Sequence, residues 1–187
     1  MIADFPVLLD ACVLANFGVC DLLLRLAEEP RMFSPRWSKF ILQEVRRTHL
    51  ERLKPPWPET IADSWQTSVQ SAFPEADVSD YESLVGILTN APKDRHVLAA
   101  AIKGNASLIV TFNLRDFPAE SLVAWGVNAV HPQDYLLTLY SMNPALVSMR
   151  LSDVAHQRKR EVQDILLHLG KSVPSFASRV LEDVGMG

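Results

Sequence analysis

Apolar positions along this chain follow two periods in alternation. Val7-Leu8-Leu9 is a short apolar run that ends at Asp10 and reads as a buried strand, and from Val13 to Glu28 apolar residues recur with helical spacing until Pro30 stops the pattern. Another short strand fits around Met32 and Phe33. Ser34 as N-cap and Pro35 at the first helical position then predict a helix to about Leu53, closed by Pro55-Pro56. Helical patterning returns from Pro58 to Phe73. Ser79 with Glu82 three residues on has the form of a capping box ahead of Leu84, Val85, Ile87 and Leu88, and a further helix is expected from Lys93 to Lys103, ending at Gly104.

Leu108 to Phe112 is apolar and β-branched, the pattern of a parallel strand covered on both faces. A short helix (Ala119 to Trp125), a strand (Val127 to Val130) and a helix (Pro132 to Met142) continue the alternation. Strands alternating with helices imply an α/β class with a central parallel sheet. Asn143-Pro144 forms a fresh N-cap and first turn, so the remainder reads as a C-terminal helical extension of two helices, Pro144 to Leu169 and Pro174 to Val184. The expected division is residues 1–142 as the α/β domain and 143–187 as the helical tail.

Composition narrows the class. The chain has 187 residues, 48% hydrophobic and 21% charged, which suits a folded globule and excludes disorder or coiled coil. Cys12 and Cys20 have neither metal-type spacing nor a disulfide framework, and no secretory leader is visible, so a reducing cytoplasm is the expected location. The apolar stretches are far shorter than the roughly 20 residues needed to cross a bilayer, so no membrane association is expected. A net charge of -4 gives no overall attraction to nucleic acid.

Four acids stand where acids are costly. Asp10 and Asp116 follow apolar strands, and in an open parallel sheet ligands bind at the carboxyl ends of the strands. Glu44 shares helical spacing with Trp37, Phe40, Ile41, Val45 and Thr48 rather than with Arg46, Arg47 and Glu51, which puts it on an apolar face. Asp94 falls with Val97, Leu98 and Ala101 in the same way. Taken singly, each reads equally well as a helix cap or a dipole contact. Taken together, carboxylates brought close raise one another's pKa and resist ionising unless a cation neutralises them. An oxygen-only donor set with no Cys or His cluster favours Mg²⁺ or Mn²⁺. The histidines show no zinc-type spacing.

Four blocks then carry a resemblance. Leu8-Leu9-Asp10-Ala11-Cys12-Val13-Leu14, Pro35-Arg36-Trp37 through Glu44-Val45-Arg46-Arg47, Lys93 to Ala101, and Ile109 to Pro118 occur in the order found in PIN-domain proteins. Over about residues 6 to 137 the chain resembles the VapC-like toxin ribonucleases. The resemblance implies a PIN-like three-layer fold and a metal-dependent endoribonuclease, with Asp10, Glu44, Asp94 and Asp116 as the acidic quartet and a 5′-phosphate and 3′-hydroxyl as product ends. It implies a toxin of a type II toxin-antitoxin system, an RNA substrate, a cognate antitoxin partner and a homodimer. Asn113 matches the polar residue that often accompanies the last Asp. Cys12 is a departure, since many members carry Ser or Thr there to orient the first Asp, and a thiol is a weaker donor. Asn16 is the next polar residue along and is expected either to help hold Asp10 or to cap a helix.

Charge is unevenly spread. Residues 31 to 54 hold seven basic side chains against two acids, whereas residues 55 to 92 hold six acids and no Lys or Arg. Arg36, Lys39, Arg46 and Arg47 on the basic segment are the expected RNA-backbone contacts; a solvated helix face is the plainer alternative. Two further readings compete with the toxin: a catalytically weak PIN-fold regulatory module, and a stand-alone RNA-processing nuclease. A haloacid-dehalogenase-type phosphatase, which needs an acid two positions after the first Asp, has Cys12 there instead.

Overall fold

In the computed structural model, which describes residues 5–185, the chain is α/β. Five parallel strands, β1 (Pro6–Leu9), β2 (Ser34–Ser38), β3 (Asp77–Val78), β4 (Leu108–Val110) and β5 (Asn128–Val130), form one sheet in the order β3-β2-β1-β4-β5. Helices lie on both sides, giving the three layers expected. Val7, Leu8 and Leu9 are all fully buried, and since successive strand residues face opposite ways, β1 is covered on both faces.

The strand order sets the site. From β1 the chain moves outward to β2 and β3, then returns across β1 to place β4 on its other side. That reversal makes the carboxyl ends of β1 and β4 a switch point, where a parallel sheet opens a crevice. The register pairs Leu9 with Val110, so the next residues on the two strands, Asp10 and Thr111, emerge side by side.

Several boundaries differ from expectation. The expected helix from Val13 is two: α1 (Ala11–Leu14) and α2 (Phe17–Ala27), separated where the Asn16 side chain accepts from the Val19 amide at 3.2 Å. Ser34 and Pro35 begin β2 rather than a helix. The Ser34 amide bonds to Phe5 and the Trp37 amide to Ala76, and Ser34, Pro35, Trp37 and Ser38 are buried. Proline early in a strand and proline in a first helical turn look alike in sequence; sheet pairing decides here. The true cap is Ser38, whose hydroxyl accepts from Ile41 at 3.2 Å to open α3 (Lys39–Glu51). Trp37 therefore lies in β2, not on the helix of Glu44. The two-residue β3 was not expected at all.

After α4 (Glu59–Ala72), the capping box at Ser79 does not form. The Ser79 hydroxyl bonds to Asp80, and α5 (Glu82–Val85) starts without a side-chain cap. A 3₁₀ turn (Pro92–Asp94) leads into α6 (Arg95–Lys103), so Asp94 precedes that helix instead of lying in its first turn. Past β4 come a second 3₁₀ turn (Leu114–Asp116), α7 (Ala119–Leu122) and α8 (Pro132–Met142).

Among the described residues the tail holds three helices rather than two. Lys159, with φ 52° in the left-handed region, ends α9 (Pro144–Arg158) before α10 (Val162–Leu169) and α11 (Pro174–Gly185). Its apolar residues Leu151, Leu166, Phe176 and Val180 are fully buried and belong to the same hydrophobic core as the sheet. At Gly18 on α2 an added Cβ would stand 3.3 Å from Leu169, so the missing side chain lets α10 lie close.

Candidate active site

The rim above β1 and β4 is assembled from four segments. Asp10 is only 5% exposed, and three donors hold its carboxylate. Oδ1 accepts from the Ala11 amide at 2.7 Å; Oδ2 accepts from the Thr111 hydroxyl at 2.7 Å and from the Cys12 thiol at 3.2 Å. Thr111 is itself fixed, its Oγ accepting from the Asn113 amide at 3.0 Å. Charge-assisted bonds of this kind are among the strong ones, and together they set the Asp10 side chain in a single orientation.

Thr111 was not singled out in the sequence, where it reads as one more β-branched strand residue. Its role follows from the β1–β4 register, which no local pattern reveals. The hydroxyl that position 12 lacks thus reaches Asp10 from the neighbouring strand. Cys12 stays beside it, accepting from the Phe112 amide at 3.4 Å; burial and the nearby Asp10 charge push its thiol up to about 12, so it stands as a neutral donor.

Asp94 and Asp116 are brought together by backbone. The Ala91 amide donates to the Asp116 carbonyl at 3.2 Å, tying the turn before α6 to the turn after β4. The Lys93 ammonium lies across both carboxylates, 2.9 Å from Asp116 Oδ2 and 3.5 Å from Asp94 Oδ2. Asp94 Oδ2 is buried and has no hydrogen bond. The hydrogen bond from Lys93 holds Asp116 below its ordinary range. Asp94, by contrast, is raised to about 6 by burial, against the lowering pull of Lys93 and with the help of the Asp10 and Asp116 charges.

Glu44 enters from α3. Helical spacing from the buried Ile41 and Val45 turns it half inward, and burial, then the charges of Asp10 and Asp94, raise its carboxyl to about 7; Arg47 and Arg52 act the other way. Its Oε2 lies 3.4 Å from Nε2 of His96, whose ring packs edge-on against Phe40 with centroids 4.4 Å apart. Burial lowers the His96 pKa, which favours the neutral imidazole. His96, like Thr111 and Lys93, was missed by reasoning on carboxylates alone.

The four acids therefore repel one another across one rim. Among the described residues no three His, Cys, Asp or Glu side chains already stand together as a preformed metal cage. The donor chemistry nonetheless fits a hard divalent ion: oxygen ligands only, two carboxyls raised by burial and by neighbouring carboxylate charge, and a buried Asp94 oxygen without a hydrogen bond.

The remaining expected residues are placed as follows. Asn16 caps α2 and donates to Ser172 Oγ at 2.9 Å, so it joins body to tail and makes no bond to Asp10. Asn113 is exposed at the turn and serves Thr111 through its amide. Arg36 is half-buried in β2, its guanidinium donating to Ser34 Oγ at 2.7 Å and to the Pro35 carbonyl at 2.8 Å. Arg46 is paired with Asp63 at 2.7 Å and with Glu59 at 4.0 Å on α4. The acidic stretch thus folds back on the basic helix and answers part of its charge. Lys39 is exposed at the start of α3, and Arg47 is exposed with its guanidinium 3.9 Å from Glu44. No described helix is long and apolar enough to cross a membrane.

A parallel sheet with this strand order, and carboxylates gathered at its switch point, define an α/β protein of the PIN type. The chain is 35% identical over 137 residues to a Mycobacterium tuberculosis protein named "Putative ribonuclease VapC50", covering 72% of this chain and 78% of that one, and it belongs to the VapC-like PIN-domain family. No protein-family model and no solved structure matches it.

Proposed function

We propose that the protein is a divalent-metal-dependent endoribonuclease that acts as the toxin of a type II toxin-antitoxin pair. The observation that carries the reading is the rim to which Asp10, Glu44, Asp94 and Asp116 come from four segments, where burial and then the neighbouring charges raise the carboxyls of Glu44 and Asp94. The relative's name, a ribonuclease, supports the same chemistry.

In this reading the four carboxylates hold Mg²⁺ or Mn²⁺, and the bound ions supply an activated water and charge neutralisation at the scissile phosphate. The chain's own groups do the positioning. Thr111, Cys12 and the Ala11 amide keep Asp10 from rotating. The neutral His96 packs beside Glu44 on the α6 side, its Nε2 3.4 Å from Oε2. Lys93, exposed at its tip, contacts both Asp94 and Asp116 and offers a positive charge to an arriving phosphate.

The test is cleavage of single-stranded RNA by the purified protein with Mg²⁺ or Mn²⁺, with and without EDTA. Cleavage that chelation abolishes and that Asp94→Asn and Asp10→Asn remove is the expected result. Robust cleavage by the purified Asp10→Asn protein overturns the assignment. For the toxin role, expression should arrest growth, and co-expression of a cognate antitoxin, sought among small reading frames beside this gene, should relieve the arrest.

A further inference from the structure

The surface between the start of α2 and the C-terminal helices has features the rim does not use. Phe17, the first residue of α2, is 51% exposed. Its ring meets Trp57 edge-on at 6.1 Å between centroids and carries the Arg158 guanidinium 4.7 Å from its centre. Beside it opens a groove of about 570 Å³ whose walls include Arg158, Arg160, His168 and Lys171 together with Asp164. Arg158 is anchored by Asp21 at 2.6 Å, whereas among the described residues no carboxylate pairs with Arg160 or Lys171.

The groove does not stop there. A second hollow of about 280 Å³ shares Phe17, His168 and Lys171 and continues to Ala15 and Asn16. Those residues follow α1, which starts next to Asp10 in the chain. The Asn16 to Ser172 hydrogen bond fixes this part of the tail against the body.

We propose that this groove binds the single-stranded RNA that flanks the cleaved bond, with Arg160 and Lys171 on its phosphates and a base stacked on Phe17. The proposal rests on the ribonuclease reading above. Unpaired cations beside an exposed aromatic ring are what a flexible strand with charged backbone and π-faced bases requires. The second hollow reaches Ala15 and Asn16, the residues that follow the helix beginning next to Asp10, and so lies on the chain segment that leads from the carboxylates. The tail, which adds no acid to the rim, thereby gains a role in substrate binding.

The test uses the full chain and a fluorescein-labelled 20-nucleotide single-stranded RNA in EDTA, with affinity read by anisotropy. Arg160→Glu with Lys171→Glu should weaken binding at least tenfold and reduce the salt slope by about 1.4, the value for two lost phosphate contacts on a single strand. In Mg²⁺, kcat on a trinucleotide should be unchanged, while KM on the 20-nucleotide RNA rises. Both side chains are exposed, so a thermal melt matching wild type is expected. Phe17→Ala should weaken the single strand but leave the same RNA in duplex form unaffected. Unchanged affinity of the charge-reversed protein for the single strand overturns the proposal, as does equal weakening of single strand and duplex by Phe17→Ala. A wild-type protein that binds the RNA but cleaves neither substrate refutes the ribonuclease reading alone, since the affinity comparison still decides the groove.

Discussion

The acids of α4 and the acids of the rim meet opposite treatment. Asp63 and Glu59 are exposed and face Arg46 across the α3–α4 contact, so each negative charge has a fixed protein cation close by. Around Asp10, Glu44 and Asp94 the fold does the reverse. It buries carboxylates near each other and, apart from Lys93 and the more distant arginines of α3, leaves their repulsion standing. Surface pairs of the first kind add little stability. A cluster of the second kind costs stability in the resting protein and is retained where a ligand is to supply the missing charge.

The difference can be broken most directly at Asp94. Asp94→Asn should reduce RNA cleavage by at least 10²-fold, whereas Asp63→Asn should leave it within about twofold, as measured by initial rates under saturating Mg²⁺. Equal losses would mean that the two acidic regions do the same work.

Stability sharpens the contrast next. In the unfolded chain Glu44 and Asp94 titrate near their ordinary values of 4.5 and 3.8; in the fold they are raised to about 7 and 6. The folded state thus takes up protons first as pH falls. The stability gained is fully present below about pH 4 and is lost as pH rises through 6 to 7. Metal-free protein should accordingly melt higher at pH 5.5 than at pH 8, and Glu44→Gln should raise the pH 8 Tm by about 2–4 °C. Mg²⁺ should raise the wild-type Tm more than that of Glu44→Gln. Asp63→Asn should shift Tm by less than about 2 °C, with no such pH dependence. Differential scanning fluorimetry decides both points.

Thr111→Val tests how Asp10 is held. It removes the hydroxyl at 2.7 Å while keeping shape, and should cost about 1 kcal/mol and lower kcat with little change in KM; Thr111→Ser should restore the rate. The smallest effect is expected at Cys12. Cys12→Ser replaces a thiol donor at 3.2 Å by a hydroxyl and should change the cleavage rate by less than threefold, because Thr111 already donates to the same oxygen.

Much of this was legible in the chain. β1 and β4 read as strands because their apolar runs are continuous, and the four acids stood out because each broke an apolar pattern or followed a strand. What stayed hidden depends on pairing between distant segments. Pro35 reads as a helix start until the hydrogen bonds of Ser34 and Trp37 place it in β2. Asp77 and Val78 are too short to show a period and become a strand only beside Trp37 and Ser38. Arg46 looked free for RNA because nothing local shows that α4 folds back upon it. Thr111 becomes visible as a partner of Asp10 only once Leu9 and Val110 are known to be in register.

That register also orders events in the life of each molecule. The bond from Thr111 to Asp10 spans 101 residues of sequence, and Asp116 lies farther still. As the chain leaves the ribosome, Asp10, Glu44 and Asp94 all emerge before the strand that completes the rim. Contacts of such long range form late, because loop closure must precede them. A nascent or truncated chain that ends before β4 therefore carries three of the four acids but no assembled site, and the rim is completed only when synthesis has passed the last of them.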